Sequence, residues 1–217
     1  GPIPSELGGL SALQLLDLCY NKLSGFIPPE LGKLAALMIL SLAGNGLSGS
    51  IPPELGELAA VQDLTLSQNQ LIGTIPEALG NLSALKTLWL QNNSLEGPIP
   101  PELGNLTALQ QLDLGGPLFG AIPPELGNLA ALQTLDLRWN QLSGHIPPEL
   151  GKLGALQQLE LGINQLSGHI PPQLGDLGAL KELYLNGNKL DGPIPLELGR
   201  LAVLEYLNLG WNELTGK

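Results

Sequence analysis

Gln133–Ile146 (QTLDLRWNQLSGHI) and Gln157–Ile170 (QQLELGINQLSGHI) are two copies of one pattern, which recurs every 24 residues along most of the chain. The full unit reads Leu-x-x-Leu-x-Leu-x-x-Asn-x-Leu-x-Gly-x-Ile-Pro-Pro-Glu-Leu-Gly-x-Leu. A fixed period of roughly 20 to 50 residues is typical of a solenoid, in which each unit packs only on its neighbours. Nine pairs of leucines mark nine rungs: Leu16/Leu18, Leu40/Leu42, Leu64/Leu66, Leu88/Leu90, Leu112/Leu114, Leu135/Leu137, Leu159/Leu161, Leu183/Leu185 and Leu207/Leu209.

Each segment of the unit has its own expected structure. The Leu-x-Leu alternation predicts a half-buried strand whose leucines point into the core. The recurring asparagine is expected to satisfy backbone groups at the following turn, so that stacked asparagines form an internal ladder. Pro-Pro-Glu-Leu-Gly is expected to form a short 3₁₀ turn that ends at glycine.

The repeat resembles that of the leucine-rich repeat family over essentially the whole chain, and its Leu-x-Gly-x-Ile-Pro half is similar to the plant-type subclass found in receptor ectodomains. This resemblance implies an α/β-type solenoid, with a second short strand formed by Ile-Pro on the flank. We expect a right-handed superhelix with a parallel concave sheet of about nine strands and 3₁₀ turns on the convex side. Residues 1–217 are expected to form a single domain of nine repeats. The absence of recognisable terminal caps in the sequence predicts a fragment of a larger protein.

Composition excludes several classes of function. The net charge of −11 comes largely from one glutamate column in Glu-Leu-Gly, where a carboxylate suits the start of a helical turn. A nucleic-acid partner is not expected, since phosphate binding needs a basic face. No apolar run approaches membrane-spanning length. The single cysteine, Cys19, cannot form a disulfide within the chain, which favours a cytoplasmic over an extracellular location.

The positions that vary between repeats contain all of the tryptophans and tyrosines. Alternation places these residues outward, on the concave face. Exposed aromatic side chains on a rigid concave surface are a common basis of protein recognition. The aromatic residues are Tyr20, Trp89, Trp139, Tyr184, Tyr206 and Trp211.

One outward column carries an acidic run on three successive rungs, at Asp113, Asp136 and Glu160. Carboxylates about one strand spacing apart raise each other's pKa unless a cation compensates, and Arg138 lies on the same face. A basic group of a partner, such as lysine or arginine, would suit this patch. The predicted partner-binding residues are Trp89, Asp113, Asp136, Arg138, Trp139, Glu160, Tyr184, Tyr206 and Trp211.

One rung is irregular. Gly115–Phe119 lies in a rung that is one residue shorter than the others and lacks the ladder asparagine. We interpret this as a tolerated deletion that interrupts the ladder, with a role in recognition as the alternative.

No catalytic, metal-binding or cofactor-binding motif is present. The sequence has no phosphate-binding loop, no nucleophile elbow and no His-Glu-x-x-His. The two histidines, His145 and His169, are one repeat apart, and zinc normally takes at least three protein ligands. We therefore expect no catalytic residues, no metal site and no cofactor.

The leading hypothesis is a non-catalytic protein- or peptide-binding module that uses its concave surface. The near-identical units and lack of disulfides resemble the repeat arrays of ROCO-family GTPases, which implies a parent with a GTPase domain outside this chain. The first alternative is the extracellular ligand-binding ectodomain of a plant-type receptor kinase. The second is a scaffold or consensus array without a specific ligand.

Overall fold

The computed structural model describes residues 1–216 and contains a short concave strand in each of the nine rungs. These strands form one parallel sheet in chain order. Lys217, the last residue of the predicted domain, lies outside the described residues. Rungs 1 to 9 are numbered by their concave strands: Leu15–Asp17, Ile39–Ser41, Asp63–Thr65, Thr87–Trp89, Gln111–Asp113, Thr134–Asp136, Gln158–Glu160, Glu182–Tyr184 and Tyr206–Asn208.

The leucines of successive rungs stack in register and form the core. Leu135 pairs with Leu112 on one side and with Leu159 on the other, and all three are completely buried. Burying a leucine side chain stabilises the fold by about 2 kcal/mol, and each rung repeats the same contacts. The predicted parallel solenoid is therefore confirmed, with a core that runs continuously from rung 1 to rung 9.

A second strand follows in every rung and lies along one flank. These flank strands end before the Ile-Pro pair, so the expectation that Ile-Pro itself forms them is wrong. Proline has no N–H to donate to a strand ladder. The flank strands are Ser24–Gly25, Gly46–Gly49, Gln70–Gly73, Ser94–Leu95, Phe119–Gly120, Gln141–Gly144, Gln165–His169, Lys189–Gly192 and Glu213–Leu214.

The convex side is built from nine 3₁₀ turns in residues 1–216, as the Pro-Glu-Leu-Gly segments predict. Their glycines permit close stacking: a Cβ on Gly104 would lie 2.5 Å from the backbone oxygen of Glu125 in the next turn. No helix in this part of the chain has the length and apolar character needed to cross a membrane. The turns are Ser5–Gly9, Pro29–Lys33, Pro53–Glu57, Glu77–Asn81, Pro101–Asn105, Pro124–Asn128, Pro148–Lys152, Pro172–Asp176 and Leu196–Arg200.

The recurring asparagines form the predicted internal ladder. Asn164 is representative: its Nδ2 donates to the carbonyl oxygen of Leu137 in the preceding rung at 2.9 Å and to that of Leu161 in its own rung at 3.1 Å. Its Oδ1 accepts the backbone N–H of Leu142 at 3.0 Å. Each such bond contributes about 1 kcal/mol, so the ladder joins neighbouring rungs at the turn.

The shortened rung 5 divides the flank strands into a sheet of four and a sheet of five. In rung 6, the N–H of Gln141 donates to the Leu118 carbonyl at 2.7 Å. Pro117 occupies the equivalent position in rung 5 and has no N–H. Asn140 still reaches across the irregular rung and bonds Leu114 and Leu118 at 3.1 and 3.0 Å. The ladder therefore loses one member without breaking the stack.

Candidate functional site: the concave face

The aromatic side chains lie on or beside the concave sheet, but at two kinds of position. Trp89 and Tyr184 end concave strands. Trp139 and Trp211, like Tyr20, do not lie in strands as expected; they occupy the turn just before the ladder asparagine. Exposure is greatest at these turns, where Trp139 is 65% and Trp211 83% accessible.

The turn position that holds Trp139 and Trp211 has a left-handed backbone. Their φ values are 59° and 53°, and Tyr20 and Ile163 have 52° and 55° at the same point of their rungs. Rung 8 has glycine there, Gly187. A non-glycine residue in this conformation costs about 1–2 kcal/mol. At this position, glycine would destabilise the folded state less than these bulky residues do.

Arg138 bridges two carboxylates of the acidic run. Its Nε lies 2.9 Å from Asp136 Oδ2, and its Nη1 lies 3.2 Å from Glu160 Oε2. The side chains of Asp136 and Glu160 are only 8% exposed, whereas that of Arg138 is 48% exposed. These two carboxylates are therefore largely shielded from solvent, whereas Arg138 remains accessible.

The third carboxylate, Asp113, has a different environment. Its Oδ1 accepts the backbone N–H of Gly115 at 3.2 Å, and it forms no salt bridge within residues 1–216. Burial, followed by the charge of Asp136, raises the pKa of Asp113 from 3.8 to about 6. Burial also raises the pKa values of Asp136 and Glu160, and the positive charge of Arg138 opposes both shifts.

Asp113→Asn is expected to stabilise the protein at neutral pH and to have no effect in acid. Because the folded-state pKa of Asp113 lies above its ordinary value, its contribution to stability is complete below pH 3.8 and is lost as pH rises through about 6. The asparagine retains the acceptor for Gly115 and carries no charge. After allowance for solvent screening, the gain in unfolding free energy at pH 7.5 is on the order of 1 kcal/mol. Urea denaturation at pH 7.5 and pH 3.5 measures it.

Asp17→Asn is the matched control. Asp17 is the equivalent residue of rung 1 and accepts the Cys19 N–H at 3.0 Å, but it is exposed and its neighbour in rung 2 is Ser41. The control is expected to change stability little at either pH. A destabilising effect of Asp113→Asn at pH 7.5 would contradict this account of the acidic run.

Three adjoining clefts run along the concave face, and Arg138 lines all three. They have volumes of about 450, 290 and 300 Å³. The first reaches from rung 4 to rung 6 and includes Asp113 and Trp139. The second is bounded by Trp89, and the third lies between Trp139 and Tyr184. We call this series of clefts the Arg138 groove.

The groove brings together most of the predicted binding residues. Trp89, Asp113, Asp136, Arg138, Trp139, Glu160 and Tyr184 line it. Tyr206 and Trp211 do not line the three clefts, although both are exposed in rung 9.

Sequence reasoning missed two glutamines of the groove. Gln158 Nε2 donates to Glu160 Oε1 at 2.8 Å and to Glu182 Oε2 at 3.3 Å. Gln91 lines two of the clefts. Glutamine carries no distinctive signal of its own, but the position of Gln91 beside the shortened rung could have identified it.

The two histidines lie on the flank, away from the groove. The His145 ring packs over Gly168 and contacts the Ser167 carbonyl at 3.0 Å. His169 Nδ1 lies 2.7 Å from Asp191 Oδ1. Within residues 1–216, no cluster of three or more potential metal-ligating side chains occurs.

Comparisons with known proteins agree with this architecture. The leucine-rich repeat region family matches residues 100–217, and two further leucine-rich repeat families match residues 59–119 and residues 12–34 and 36–58. No curated protein sequence matches the chain significantly.

Solved structures of plant receptors are close in both sequence and shape. The ectodomain of the Arabidopsis thaliana receptor kinase GASSHO1/SCHENGEN3, in complex with CASPARIAN STRIP INTEGRITY FACTOR 2, is 44% identical over 98% of this chain, with a TM-score of 0.95. The PEPR1–AtPEP1 structure is 42% identical over the whole chain, with a TM-score of 0.97. The ectodomain of the Arabidopsis receptor kinase HAESA, bound to an IDA peptide hormone, is 37% identical over 98%, with a TM-score of 0.81.

The chain spans 26%, 31% and 40% of those three proteins, respectively. These neighbours support the receptor alternative and give no support to a ROCO-type parent, for which near-identical repeats and missing disulfides were the only indications. One family matches more than half of the chain, the nine rungs share one architecture, and the neighbours carry the same type of repeat. The chain therefore belongs to the leucine-rich repeat family, in its plant-type class.

Proposed function

We propose that this chain is a non-catalytic recognition module that binds a peptide in the Arg138 groove. The observation that carries the proposal is the retention of exposed tryptophans at left-handed positions beside the groove. Trp139 bears a conformational cost of about 1–2 kcal/mol while leaving 65% of its surface in solvent. Packing in the core does not offset that cost, whereas contact with a ligand would.

The polarity of the groove favours a peptide over an apolar ligand. Carboxylates, amides and the Arg138 guanidinium alternate with aromatic rings along its length. Aromatic anchors surrounded by polar groups are typical of protein recognition sites. From rung 4 to rung 9 the sheet spans about 24 Å, taking roughly 4.8 Å for each strand spacing. An extended peptide of about seven residues has that length.

We further propose that the chain belongs to a ligand-binding receptor ectodomain. The structures of GASSHO1/SCHENGEN3, PEPR1 and HAESA support this, because each superposes on nearly the entire chain and contains a bound partner. The HAESA partner is a peptide hormone. A receptor parent of this kind also accounts for the Leu-x-Gly-x-Ile-Pro repeat better than a GTPase parent does.

Trp139→Ala is expected to weaken peptide binding by about 10- to 30-fold, the loss typical of an aromatic hot spot. The probe is a nine-residue peptide selected from a random displayed library on the wild-type protein. Isothermal titration calorimetry with the synthetic peptide then gives the dissociation constants of wild type and variant. The fold should be unaffected, because Trp139 is largely exposed.

Phe26→Ala is the matched control for Trp139→Ala. Phe26 is 70% exposed, close to the 65% of Trp139, but it lies after the flank strand and packs over Gly49. Its removal should leave the affinity unchanged. Failure to select any peptide, or an equal loss of affinity in the two variants, would overturn the proposal and favour a scaffold without a ligand.

A further inference from the structure

The shortened rung 5 opens the largest cleft of the Arg138 groove. Gly115, Gly116 and Pro117 span the distance from Leu114 to Leu118, with one residue fewer than in the other rungs. Neither glycine carries a side chain to fill the space between rungs 4 and 6. The resulting notch has a volume of about 450 Å³ and is bounded by Gln91, Asp113, Gly115, Gly116, Arg138 and Trp139. That volume lies within the range of small-ligand sites.

The notch also lacks a backbone hydrogen bond that the other rungs have. At seven of the eight junctions between rungs, the residue at the left-handed turn position donates its N–H to a carbonyl of the next rung; Trp139 to Gly162, at 3.1 Å, is one case. The equivalent bond from Gly116 to the Arg138 carbonyl is absent from the described residues. Within residues 1–216 that carbonyl retains only a long bond of 3.3 Å from Asn140, so part of its acceptor capacity is unused.

Two side chains add acceptors to the same space. Gln91 Oε1 is buried and has no hydrogen-bond partner within residues 1–216. A buried acceptor without a partner is unfavourable, and a rotation of the Gln91 side chain would present this oxygen to a donor in the notch. Asp113 contributes a carboxylate whose bond from Gly115 is its one hydrogen bond in the described chain.

The charge of the notch is negative, although Arg138 lies at its edge. The Nε and Nη1 groups of Arg138 already pair with Asp136 and Glu160, so two carboxylates oppose its single positive charge. Asp113 forms no salt bridge within residues 1–216, although the charge of Arg138 acts on it from a distance. Trp139 forms one wall, and an indole face attracts cations. The notch therefore offers unpaired acceptors, a carboxylate without a salt bridge in the described chain, and an aromatic wall. A cation with several N–H groups can interact with all three.

We propose that the notch is a subsite for a basic side chain, the guanidinium of arginine or the ammonium of lysine, on the bound peptide. This assignment rests on the proposed peptide-binding function and specifies one feature of the ligand. The deletion in rung 5 then serves recognition, because the missing residue leaves both the space and the free acceptors. In a regular rung, the additional residue would fill this space and the backbone would pair the free acceptors.

A short synthetic probe tests the subsite directly. The probe is the capped pentapeptide acetyl-Ala-Ala-Arg-Ala-Ala-amide, compared with its citrulline analogue, which has the same shape and no charge. Titration followed by ¹H–¹⁵N NMR reports on the Trp139 indole and the Gln91 side-chain amide. Both resonances should shift with the arginine peptide, and its affinity should exceed that of the citrulline peptide by at least about 10-fold.

Two variants locate the binding. Insertion of asparagine between Gly116 and Pro117 restores the regular spacing, closes the notch and should abolish binding of the arginine peptide. Asp113→Asn removes the charge, retains the bond from Gly115 and should weaken binding by about 10-fold, whereas Asp17→Asn should not. Equal binding of the two peptides, or arginine binding unaffected by both notch variants, would overturn the subsite.

The two proposals fail in distinguishable ways. Suppose that peptides selected from the library bind in a Trp139-dependent way, but that the insertion does not change the affinity for the arginine probe. The subsite is then overturned and peptide recognition stands. If no library peptide binds in a Trp139-dependent way, yet the insertion abolishes binding of the arginine probe, recognition of an extended peptide along the groove is overturned and only the local cation subsite stands. Thermal melting of the insertion variant checks that it folds.

Discussion

Gly104→Ala is expected to lower the free energy of unfolding by about 3 kcal/mol, at the upper end of the usual cost of overpacking. Gly104 is buried in the turn Pro101–Asn105, and a Cβ there would lie 2.5 Å from the backbone oxygen of Glu125 in the next turn and 2.7 Å from its Cβ. Backbone cannot rotate away as a flexible side chain can. The turns Pro101–Asn105 and Pro124–Asn128 must therefore separate, which weakens the packing between these two neighbouring units. Urea denaturation followed by circular dichroism measures the loss.

Gly199→Ala separates this steric effect from the general cost of replacing glycine. Gly199 holds the same place in the last 3₁₀ turn, and a Cβ added to it meets no atom within 4 Å. Neither glycine has a left-handed φ, so backbone conformation does not distinguish them. The control should change stability by less than about 0.5 kcal/mol. Equal effects at Gly104 and Gly199 would show that turn stacking does not require the glycine column.

Asn140→Ala is expected to destabilise the protein by about 3 kcal/mol. The amide of Asn140 donates to the carbonyls of Leu114, Leu137 and Arg138 at 3.1, 2.9 and 3.3 Å and accepts the N–H of Leu118 at 3.0 Å. Alanine leaves these groups without partners, and a buried unpaired group costs about 1–3 kcal/mol. Chemical denaturation with fluorescence detection of the tryptophans measures the change.

Asn21→Ala is the control for the asparagine ladder. Asn21 is exposed in rung 1, and in the described part of the chain it donates only within its own rung, to Leu18 and Cys19, at 3.1 Å in each case. Its loss should cost no more than about 1 kcal/mol. If the two substitutions were equally costly, the ladder would contribute through local turn bonds and not through bonds between rungs.

Both pairs of variants probe a solenoid, in which stability is approximately a sum over rungs and their interfaces. Gly104 and Asn140 lie near the middle of the array. A sufficiently weak central interface should let the two halves unfold separately, which would appear as a broadened or biphasic transition. The terminal controls, Gly199 and Asn21, have too few neighbouring rungs to produce this behaviour.

The regular features of the fold could be predicted because every rung repeats the same environment. A leucine such as Leu135 stacks on its equivalents in the rungs before and after it. Asn164 meets the same backbone groups as Asn188 one rung later. In such an array, a residue's position in the repeat largely determines its contacts. The solenoid, the sheet of nine strands and the ladder all follow from this.

The irregular features of the groove could not be predicted in the same way. Alternation indicated that Asp136 and Glu160 point away from the core, but not that Arg138 would lie across both and that both would be nearly buried. Alternation also assigned Trp139 to a strand, whereas it lies in a left-handed turn. These differences depend on side-chain lengths and on contacts between rungs, and the repeat pattern contains neither.

By itself, the sequence determined the solenoid, its nine rungs and the face on which the variable aromatic and charged residues gather. This was possible because burial of the leucines admits only one register of stacking. Only the tertiary structure decided what the deletion in rung 5 does. Pro117 cannot donate a hydrogen bond, and within residues 1–216 Gly116 makes no bond to the Arg138 carbonyl. A deletion offers no residue type from which contacts could be predicted. Its effect is the space and the unpaired groups that it leaves between the neighbouring rungs.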